Sequence, residues 1–203
     1  MFENRLLDRL SRVHPAVPVI IFVPAIAVLA VLGVDRMATL PALAWLAGGY
    51  AFWTLSEYWI HRVIFHFEPE EGLGAHFHWI IHGIHHDHPN DPLRLVMPPS
   101  VSVPLSALFV LAFWAVLGLP AAFAFGAGFL AGYLIYDMTH YYLHHGRPRT
   151  RFGRWLRELH MRHHFQNDER GFGISAPYWD RVFGTPVKRR RERAGGPGAA
   201  ASG

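Results

Sequence analysis

The sequence predicts an all-α integral membrane protein, and three observations support this fold class. Apolar residues make up 51% of the chain and are concentrated in four long runs. Fourteen of the 15 histidines lie between His61 and His164, where polar stretches alternate with those runs. There is no cysteine, which excludes disulfides, thiolate metal sites and iron–sulfur clusters. Any transition metal must therefore be bound through nitrogen and oxygen atoms.

Each of the four apolar runs is close to the roughly 20 residues that cross about 30 Å of hydrocarbon. The runs cover residues 16–34, 38–60, 101–119 and 121–142. Only short links, at Gly33–Pro41 and Gly118–Pro120, separate the members of each pair. Prolines inside or beside the runs are tolerated better by helices in lipid than by helices in water. The sequence therefore predicts four transmembrane helices in two antiparallel hairpins.

The basic residues predict how the helices are oriented. The net charge is +4, but the 19 lysines and arginines form no recognisable nucleic-acid module, so no nucleic-acid partner is expected. Thirteen of them follow Gly146, three precede the first run and two lie in the central loop, whereas Arg36 alone lies between the first two runs. By the positive-inside rule, both termini and the central loop are cytoplasmic. The clustered histidines are then expected on the cytoplasmic side.

One functional domain is expected between two terminal segments. Residues 1–15 predict an amphipathic surface helix, because three arginines are set among apolar side chains. A cleavable signal peptide is the rival interpretation, disfavoured because a second apolar run follows almost at once. Residues 16–184 are expected to form the domain. Residues 185–203 contain a basic run suited to anionic membrane lipids and an Ala/Gly-rich end that we expect to be disordered.

Ten histidines fall into four groups with spacings typical of metal ligands. The groups are His61-x4-His66, His82-x2-His85-His86, His140-x3-His144 and His160-x2-His163-His164. Side chains three and four residues apart share one face of a helix, so the last three groups present their rings together. A structural zinc takes four ligands, whereas ten imidazoles suffice for two ions with about five nitrogens each. We therefore expect a cytosolic helical cap that holds a dinuclear histidine metal site.

The first group depends on local structure that the spacing does not fix. His61 and His66 are five residues apart, so we expect them to converge only if the helix ends or bends between them. Glu57 lies one helical turn before His61 and is a candidate acceptor for the proton on the ring nitrogen that does not bind metal. The alternative is a buried acid paired with an arginine, since an acid near the bilayer needs a partner in either case.

Other residues are expected to have structural roles. Four histidines that break the spacing pattern are placed outside the metal site: His76, His78, His88 and His145. Gly128 and Gly132 form a small-x3-small pair, which predicts close packing within the bundle. Residues 171–175 predict a tight turn, and residues 178–184 an amphipathic segment packed on the metal-binding helices.

The sequence resembles the fatty acid hydroxylase superfamily, which includes sterol desaturase-like proteins, and is most similar to fatty acid 2-hydroxylases. The resemblance covers about residues 55–184, and its many fixed positions make it specific. The motifs are Glu57-Tyr58 with His61-Arg62 and His66, His82-Gly83 with His85-His86, Arg94-Leu95-Val96 with Pro98-Pro99, Tyr136-Asp137-Met138-Thr139-His140 through Gly146, and His163-His164-Phe165 with Gly171-Phe172-Gly173-Ile174-Ser175.

The resemblance implies the ligand sets. Members of the family have four membrane helices beneath a cytosolic cap with two metals. On the matching positions, one metal would be bound by His61, His66, His82, His86 and His163. The other would be bound by His85, His140, His144, His160 and His164. These ten histidines are the expected catalytic residues, with Glu57 and Asp137 supporting them.

The resemblance also implies an activity, cofactors and partners. The expected reaction is O2-dependent hydroxylation of a lipid acyl chain, at C2 of a fatty acid or of a ceramide N-acyl chain. Two iron ions are expected, although zinc could replace them in a purified sample. Eukaryotic members often carry a cytochrome b5 domain, whereas only about 15 residues precede the first run here. A separate electron donor is therefore expected, either cytochrome b5-like or a ferredoxin with its reductase.

Composition suggests the cellular location, and three other interpretations remain open. One lysine against 18 arginines, with many alanines and glycines, favours a bacterial inner membrane. A sterol desaturase or carotenoid ring hydroxylase would keep the histidines and change the substrate. A membrane protein with structural zinc would not be an enzyme. A metal transporter would need ligands at mid-membrane, yet the first and third runs contain no histidine.

Overall fold

The computed structural model describes residues 12–67, 72, 74 and 79–188, and every regular element within them is helical. In chain order these are α1 (Ala16–Val34), α2 (Thr39–Trp59), a first π-helix (Ile60–Phe65), a second π-helix (Trp79–Gly83), α3 (Ile84–Asp87), α4 (Pro99–Leu117), α5 (Ala121–His145), α6 (Arg151–Phe165) and α7 (Tyr178–Val182). The predicted all-α class is confirmed. The predictions for residues 1–11, for His76 and His78, and for the tail beyond residue 188 lie outside the described residues.

Three helices in the described part of the chain are long and apolar enough to cross a membrane, namely α1, α4 and α5. The bounds of α1 are those predicted, α4 is shifted by two residues and α5 ends three residues later. α2 forms where predicted but does not join this set, because its second half includes polar side chains such as Thr54 and Glu57. Of the four predicted spans, three are therefore supported by length and composition.

α5 is the central helix of the bundle. α2 packs against it most extensively, α1 next and α4 least. The two predicted hairpins therefore pack together around α5, because α1 contacts α5 more extensively than it contacts its hairpin partner α2. Trp53, Phe129 and Tyr133 belong to the buried core, and the rings of Trp53 and Phe129 meet edge to face with centroids 5.1 Å apart.

Two glycines allow α2 and α5 to approach closely. A Cβ atom added at Gly49 would lie 1.9 Å from the backbone oxygen of Phe125, and one at Gly128 would lie 2.0 Å from that of Leu46. Because no side chain fits at these distances, the two helices meet backbone to backbone. The predicted packing role of Gly128 is confirmed.

The predicted amphipathic segment packs on the end of α2. The hydroxyl of Thr54 accepts hydrogen bonds from the Tyr178 hydroxyl at 2.8 Å and from the Trp179 indole at 3.1 Å. Phe183 stacks on Tyr58 with ring centroids 4.8 Å apart. These contacts fix the C-terminal part of the cap against the helix that leads into the first π-helix.

Candidate metal centre

The first π-helix brings His61 and His66 together. The amide of His66 donates to the carbonyl of His61, five residues earlier, at 3.2 Å. A π-helix forms its hydrogen bonds between residues five apart, so these two side chains share one face. The prediction that the helix must end or bend between them is wrong, because α2 continues into a wider helix. The Nε2 atoms of the two rings lie 3.2 Å apart.

The second π-helix and α3 direct the three central histidines to two different sides. The sequence predicts that His82, His85 and His86 point together at metal. In the structure His82 and His86, one turn apart, have ring centroids 4.6 Å apart, whereas His85 faces His140 at 4.5 Å. His85 precedes His86 by one residue and therefore projects from a neighbouring face of the same helix.

α5 and α6 supply the remaining five rings. His140 and His144 are one turn apart on α5 and face the same way, as predicted, with ring centroids 5.2 Å apart. His160 and His164 form a similar pair on α6, with Nε2 atoms 3.1 Å apart. His163, between them, faces the rings of the first π-helix.

The ten predicted histidines assemble into two groups of five. The first cluster consists of His61, His66, His82, His86 and His163, and the second cluster consists of His85, His140, His144, His160 and His164. Within each cluster the candidate ligand atoms all lie within 4.8 Å of one another. The clusters touch, since His86 stacks on His164 with ring centroids 4.3 Å apart. Their membership is the one that the family resemblance implies.

Hydrogen bonds between imidazoles do not explain the geometry of the second cluster. Four contacts between Nε2 atoms join its five rings, with lengths of 3.0, 2.9, 2.7 and 3.1 Å. An imidazole nitrogen donates or accepts one such bond, so at most two of the four contacts can be hydrogen bonds at once. Ligand nitrogens about 2.0–2.1 Å from a metal and near right angles lie about 3 Å apart. The rings therefore fit a bound transition metal.

Burial keeps several imidazoles of the two clusters neutral. It lowers the pKa of His61, His82, His85 and His160 well below the ordinary histidine value, and repulsion between neighbouring imidazoles lowers the pKa further. A neutral imidazole has one nitrogen lone pair available for a metal. Within the described residues, Nε2 of His82 and Nε2 of His163 are buried without a hydrogen-bond partner, so their lone pairs are available.

Backbone carbonyls orient two rings of the first cluster. His61 Nδ1 donates to the carbonyl of Phe172 at 2.7 Å, and His163 Nδ1 donates to that of Arg170 at 2.8 Å. With the proton held at Nδ1, the Nε2 atom of each ring faces the cluster. In the part of the chain that the structure describes, Nδ1 has no partner in three rings of the second cluster, His85, His160 and His164.

Asp180 holds the loop that supplies those carbonyls. Its carboxylate accepts hydrogen bonds from the amides of Phe172 and Gly173, both at 2.9 Å, and from the Thr185 hydroxyl at 2.8 Å. Gly171 begins the loop with φ of 84°, a conformation that favours glycine, and this confirms the predicted turn. The sequence interpretation missed Asp180. An isolated acid in an aromatic segment just after a glycine-rich turn is the signal that could have identified it.

Glu57 acts on the same loop rather than on an imidazole. Its carboxylate accepts from the Ser175 amide at 2.7 Å and also from the Ser175 hydroxyl. The prediction that Glu57 accepts the proton of His61 is wrong, because the Phe172 carbonyl is that acceptor. The alternative pairing with an arginine is replaced by these bonds to Ser175. Glu57 therefore ties the loop to α2.

Asp137, His88 and His145 lie apart from the converging nitrogens. Asp137 is buried in α5 and accepts a hydrogen bond from the Met97 amide at 3.3 Å, which ties the segment before α4 to the central helix. His88 is exposed and His145 is half-buried, and neither belongs to a cluster. Asp137 therefore supports the position of α5, which carries two histidines of the second cluster.

The fold and the site define a helical protein with several membrane-spanning candidates and two histidine clusters suited to a pair of metal ions. The chain matches the family model for fatty acid hydroxylases over residues 45–185. This chain therefore belongs to the fatty acid hydroxylase family.

Similar proteins act on lipid acyl groups. A dihydroceramide fatty acyl 2-hydroxylase of Arabidopsis thaliana is 38% identical over 190 residues, with 91% of this chain and 78% of the relative covered. A ceramide very long chain fatty acid hydroxylase of Saccharomyces cerevisiae is 44% identical over 140 residues, covering 68% of this chain and 36% of the relative. A fatty acid 2-hydroxylase of Rattus norvegicus is 42% identical over 146 residues, covering 68% and 38%. This chain thus spans little more than a third of the yeast and rat relatives.

A solved structure shares the fold. It is full-length scs7p with only the hydroxylase domain visible, and it superposes with a TM-score of 0.88 at 37% sequence identity. The match covers 93% of this chain and 72% of that one.

Proposed function

We propose that this chain is a membrane-bound, O2-dependent hydroxylase that inserts a hydroxyl group at C2 of a fatty acid or of a ceramide N-acyl chain. The observation that carries the proposal is the pair of touching five-histidine clusters beside an apolar cleft between helices. The names of the relatives, which specify hydroxylation of acyl groups at C2, support the choice of substrate and position.

Two iron ions are the proposed cofactors, one in each cluster, with the ten histidines as ligands and catalytic residues. Imidazole binds zinc as well as iron, so the choice of iron rests on the redox chemistry of C–H oxidation. Bound in the clusters, the two irons would supply the oxidising power that uses O2 to cleave a C–H bond. The protein contributes the ligand geometry, the exclusion of water and the placement of the acyl chain.

A narrow cleft leads to the first cluster. Trp53, Phe109 and Phe129 line it from three helices, and Phe65 lines it from the first π-helix. The Phe65 ring stacks on His82 with centroids 4.9 Å apart, so a chain that fills the cleft arrives beside the first cluster. Apolar walls of this kind suit a hydrocarbon chain and keep water from the reacting carbon.

The cleft must widen before it admits an acyl chain. Its volume is about 20 Å³, close to the space needed by a single water molecule. One wall is formed by Ser102, Leu105 and Phe109 of α4, which packs on α5 less extensively than α1 and α2 do. Movement of α4 away from α5 is therefore the change that opens the cleft with the smallest loss of packing.

The proposed topology has four membrane helices, with α2 as the fourth. α2 packs along α5, which is itself long and apolar enough to cross a membrane, and this packing supports a membrane position for α2. Both termini and the clusters are proposed to be cytoplasmic, as the distribution of basic residues favours. The excess of arginine over lysine, with many alanines and glycines, supports a bacterial inner membrane. The clusters lie at or just beyond the ends of α2 and α5, so a lipid whose head stays at the interface presents its first carbons to them.

Lipid profiling under ¹⁸O2 tests the proposal. Cells that express the chain should accumulate 2-hydroxyacyl lipids with one ¹⁸O atom per new hydroxyl, and the His82→Ala variant should not. His88→Ala is the matched control, because His88 is exposed and outside both clusters, and it should keep full activity. An altered sterol or carotenoid in the absence of 2-hydroxyacyl lipids would show that the substrate is a sterol or carotenoid and not an acyl chain. Full activity of His82→Ala would contradict the assignment of His82 as a metal ligand.

A further inference from the structure

A groove lined by arginines follows the outer side of α6. It is open, has a volume of about 570 Å³ and is lined by Arg147, Pro148, Arg154, Arg157, Glu158 and Met161, which we call the arginine groove. Arg147 and Arg154 are exposed. Arg157 is half-buried, and its guanidinium donates to the carbonyl of Gly146 at 2.7 Å. The groove therefore adjoins the end of α5, the helix that carries His140 and His144.

The groove is strongly positive. Residues 146–165 contain six arginines and a single acid, Glu158. The Glu158 carboxylate forms an ion pair with Arg162, which lies outside the groove. The other lining residues, Pro148 and Met161, carry no charge. A concave surface with three guanidinium groups favours a partner that presents carboxylates.

The groove faces away from the bundle. The buried side chains of α6 are Leu156, His160 and His163, which face the bundle and the clusters. At about 100° per residue, the centre of Arg154, Arg157 and Met161 lies roughly 130° around the helix from that buried side. This face carries one apolar side chain, Met161, beside Arg154 and Arg157, whereas a helix that binds lipid through a face directs several large apolar side chains there. The partner therefore approaches from the aqueous side, as a protein does.

We propose that an acidic one-electron carrier protein docks in the arginine groove and reduces the metal centre. The inference rests on the proposed function, whose balance is RH + O2 + 2 electrons + 2 protons giving ROH + H2O. Two molecules of reduced carrier supply the two electrons in turn, each losing one. Carboxylates of the carrier pair with Arg147 and Arg154 and bring its redox centre beside the second cluster, where Nε2 atoms of His144 and His160 lie 2.7 Å apart.

The test compares two double charge reversals in the full chain, reconstituted in zwitterionic lipid. Arg147→Glu/Arg154→Glu alters the groove, and Arg181→Glu/Lys188→Glu makes the same change in net charge at two exposed positions elsewhere in the cap. The probe is the soluble haem domain of a cytochrome b5. The groove variant should bind the probe at least about tenfold more weakly and lose most of the salt dependence of binding, whereas the control should change less than about threefold.

Turnover separates this inference from the proposed function. When the metal centre is reduced anaerobically with dithionite and O2 is then admitted, wild type and both variants should hydroxylate equally in a single turnover, whereas with the haem domain only the groove variant should show a raised KM for the carrier. No hydroxylation by the wild type with dithionite and O2 would contradict the proposed function. Hydroxylation with equal carrier binding by both variants would overturn the docking site alone. Loss of binding to phosphatidylglycerol vesicles instead of the carrier would assign the groove to lipid.

Discussion

The first and second clusters have similar rings but different support. Behind the first cluster, the carbonyls of Phe172 and Arg170 hold two Nδ1 atoms, and a loop clamped by Asp180 and Glu57 carries them. The second cluster lacks such carbonyls for three of its rings, within the described residues. It depends instead on the i, i+4 pairs of α5 and α6. One site is therefore oriented by a loop and the other by regular helices.

Removing one ligand from each cluster should give the largest effects. His163→Ala and His140→Ala should each lower turnover by at least about a hundredfold, because the proposed reaction requires an ion in each cluster, and each should leave about one metal per chain. Metal analysis of the purified variants together with an O2-consumption assay checks this. Two metals per chain in either variant would mean that the two clusters are not separate sites.

Asp180→Asn should affect the first cluster selectively. The amide cannot accept all three hydrogen bonds of the carboxylate, so the loop and its carbonyls lose their positions, and metal affinity of the first cluster should fall about 10–100-fold. Metal content should approach one per chain.

Double variants identify which site responds. Asp180→Asn combined with His140→Ala should lose nearly all metal, whereas Asp180→Asn combined with His163→Ala should match His163→Ala alone. Equal loss of metal from both clusters would instead assign Asp180 a purely structural role, and the proposed difference in support would not hold.

A change in the bundle should affect both clusters together. Gly128→Ala places a Cβ 2.0 Å from the Leu46 oxygen and should destabilise the chain by about 1–3 kcal/mol, since α2 and α5 must separate. Metal loss from both sites should follow the fall in thermal midpoint. Gly126→Ala is the control on the same helix, where the new Cβ would lie an ordinary 3.5 Å from Val110. Selective loss from one cluster would show that the bundle supports only that site.

Ser175→Ala should have the smallest effect. It removes the hydrogen bond from the Ser175 hydroxyl to Glu57 but keeps the one from the Ser175 amide. Metal affinity of the first cluster should therefore fall by less than about tenfold. Ser56→Ala, which removes an exposed hydroxyl bonded within α2, should leave both sites unchanged. A titration with Co²⁺, followed by its absorption, measures both variants. Complete loss of metal from the first cluster in Ser175→Ala would show that the hydroxyl hydrogen bond supports this site more than the amide hydrogen bond does.

The sequence predicts the members of the clusters better than it predicts what supports them. Spacing alone groups His140 with His144 and His160 with His163 and His164, because residues three and four apart share one face of an α-helix. The family resemblance is what separates His163 from the other two. The five-residue spacing of His61 and His66 has no such solution in an α-helix, and a π-helix leaves no mark in the sequence that distinguishes it from a bend. The family resemblance therefore carried the assignment of these two histidines.

Partners from distant parts of the chain were the least predictable feature. Glu57 is one turn from His61, a spacing that predicts direct contact. Its carboxylate instead accepts a hydrogen bond from the amide of Ser175, 118 residues further along the chain. The ring of His61 finds a backbone carbonyl, and every residue offers one, so composition cannot indicate which carbonyl it is. The apolar runs predicted the helix bounds well, but α2 mixes polar and apolar residues because it must serve both the bundle and the cap.

The two π-helices have a consequence for how the protein matures. Backbone in this conformation is rare and is retained where side chains or ligands compensate for it. The two π-helices contain His61 and His82, which both belong to the first cluster. Metal binding at that cluster and folding of these two segments should therefore be one coupled event. A newly inserted chain would then finish folding only when its ions arrive, and their supply in the cell would set how much mature protein accumulates.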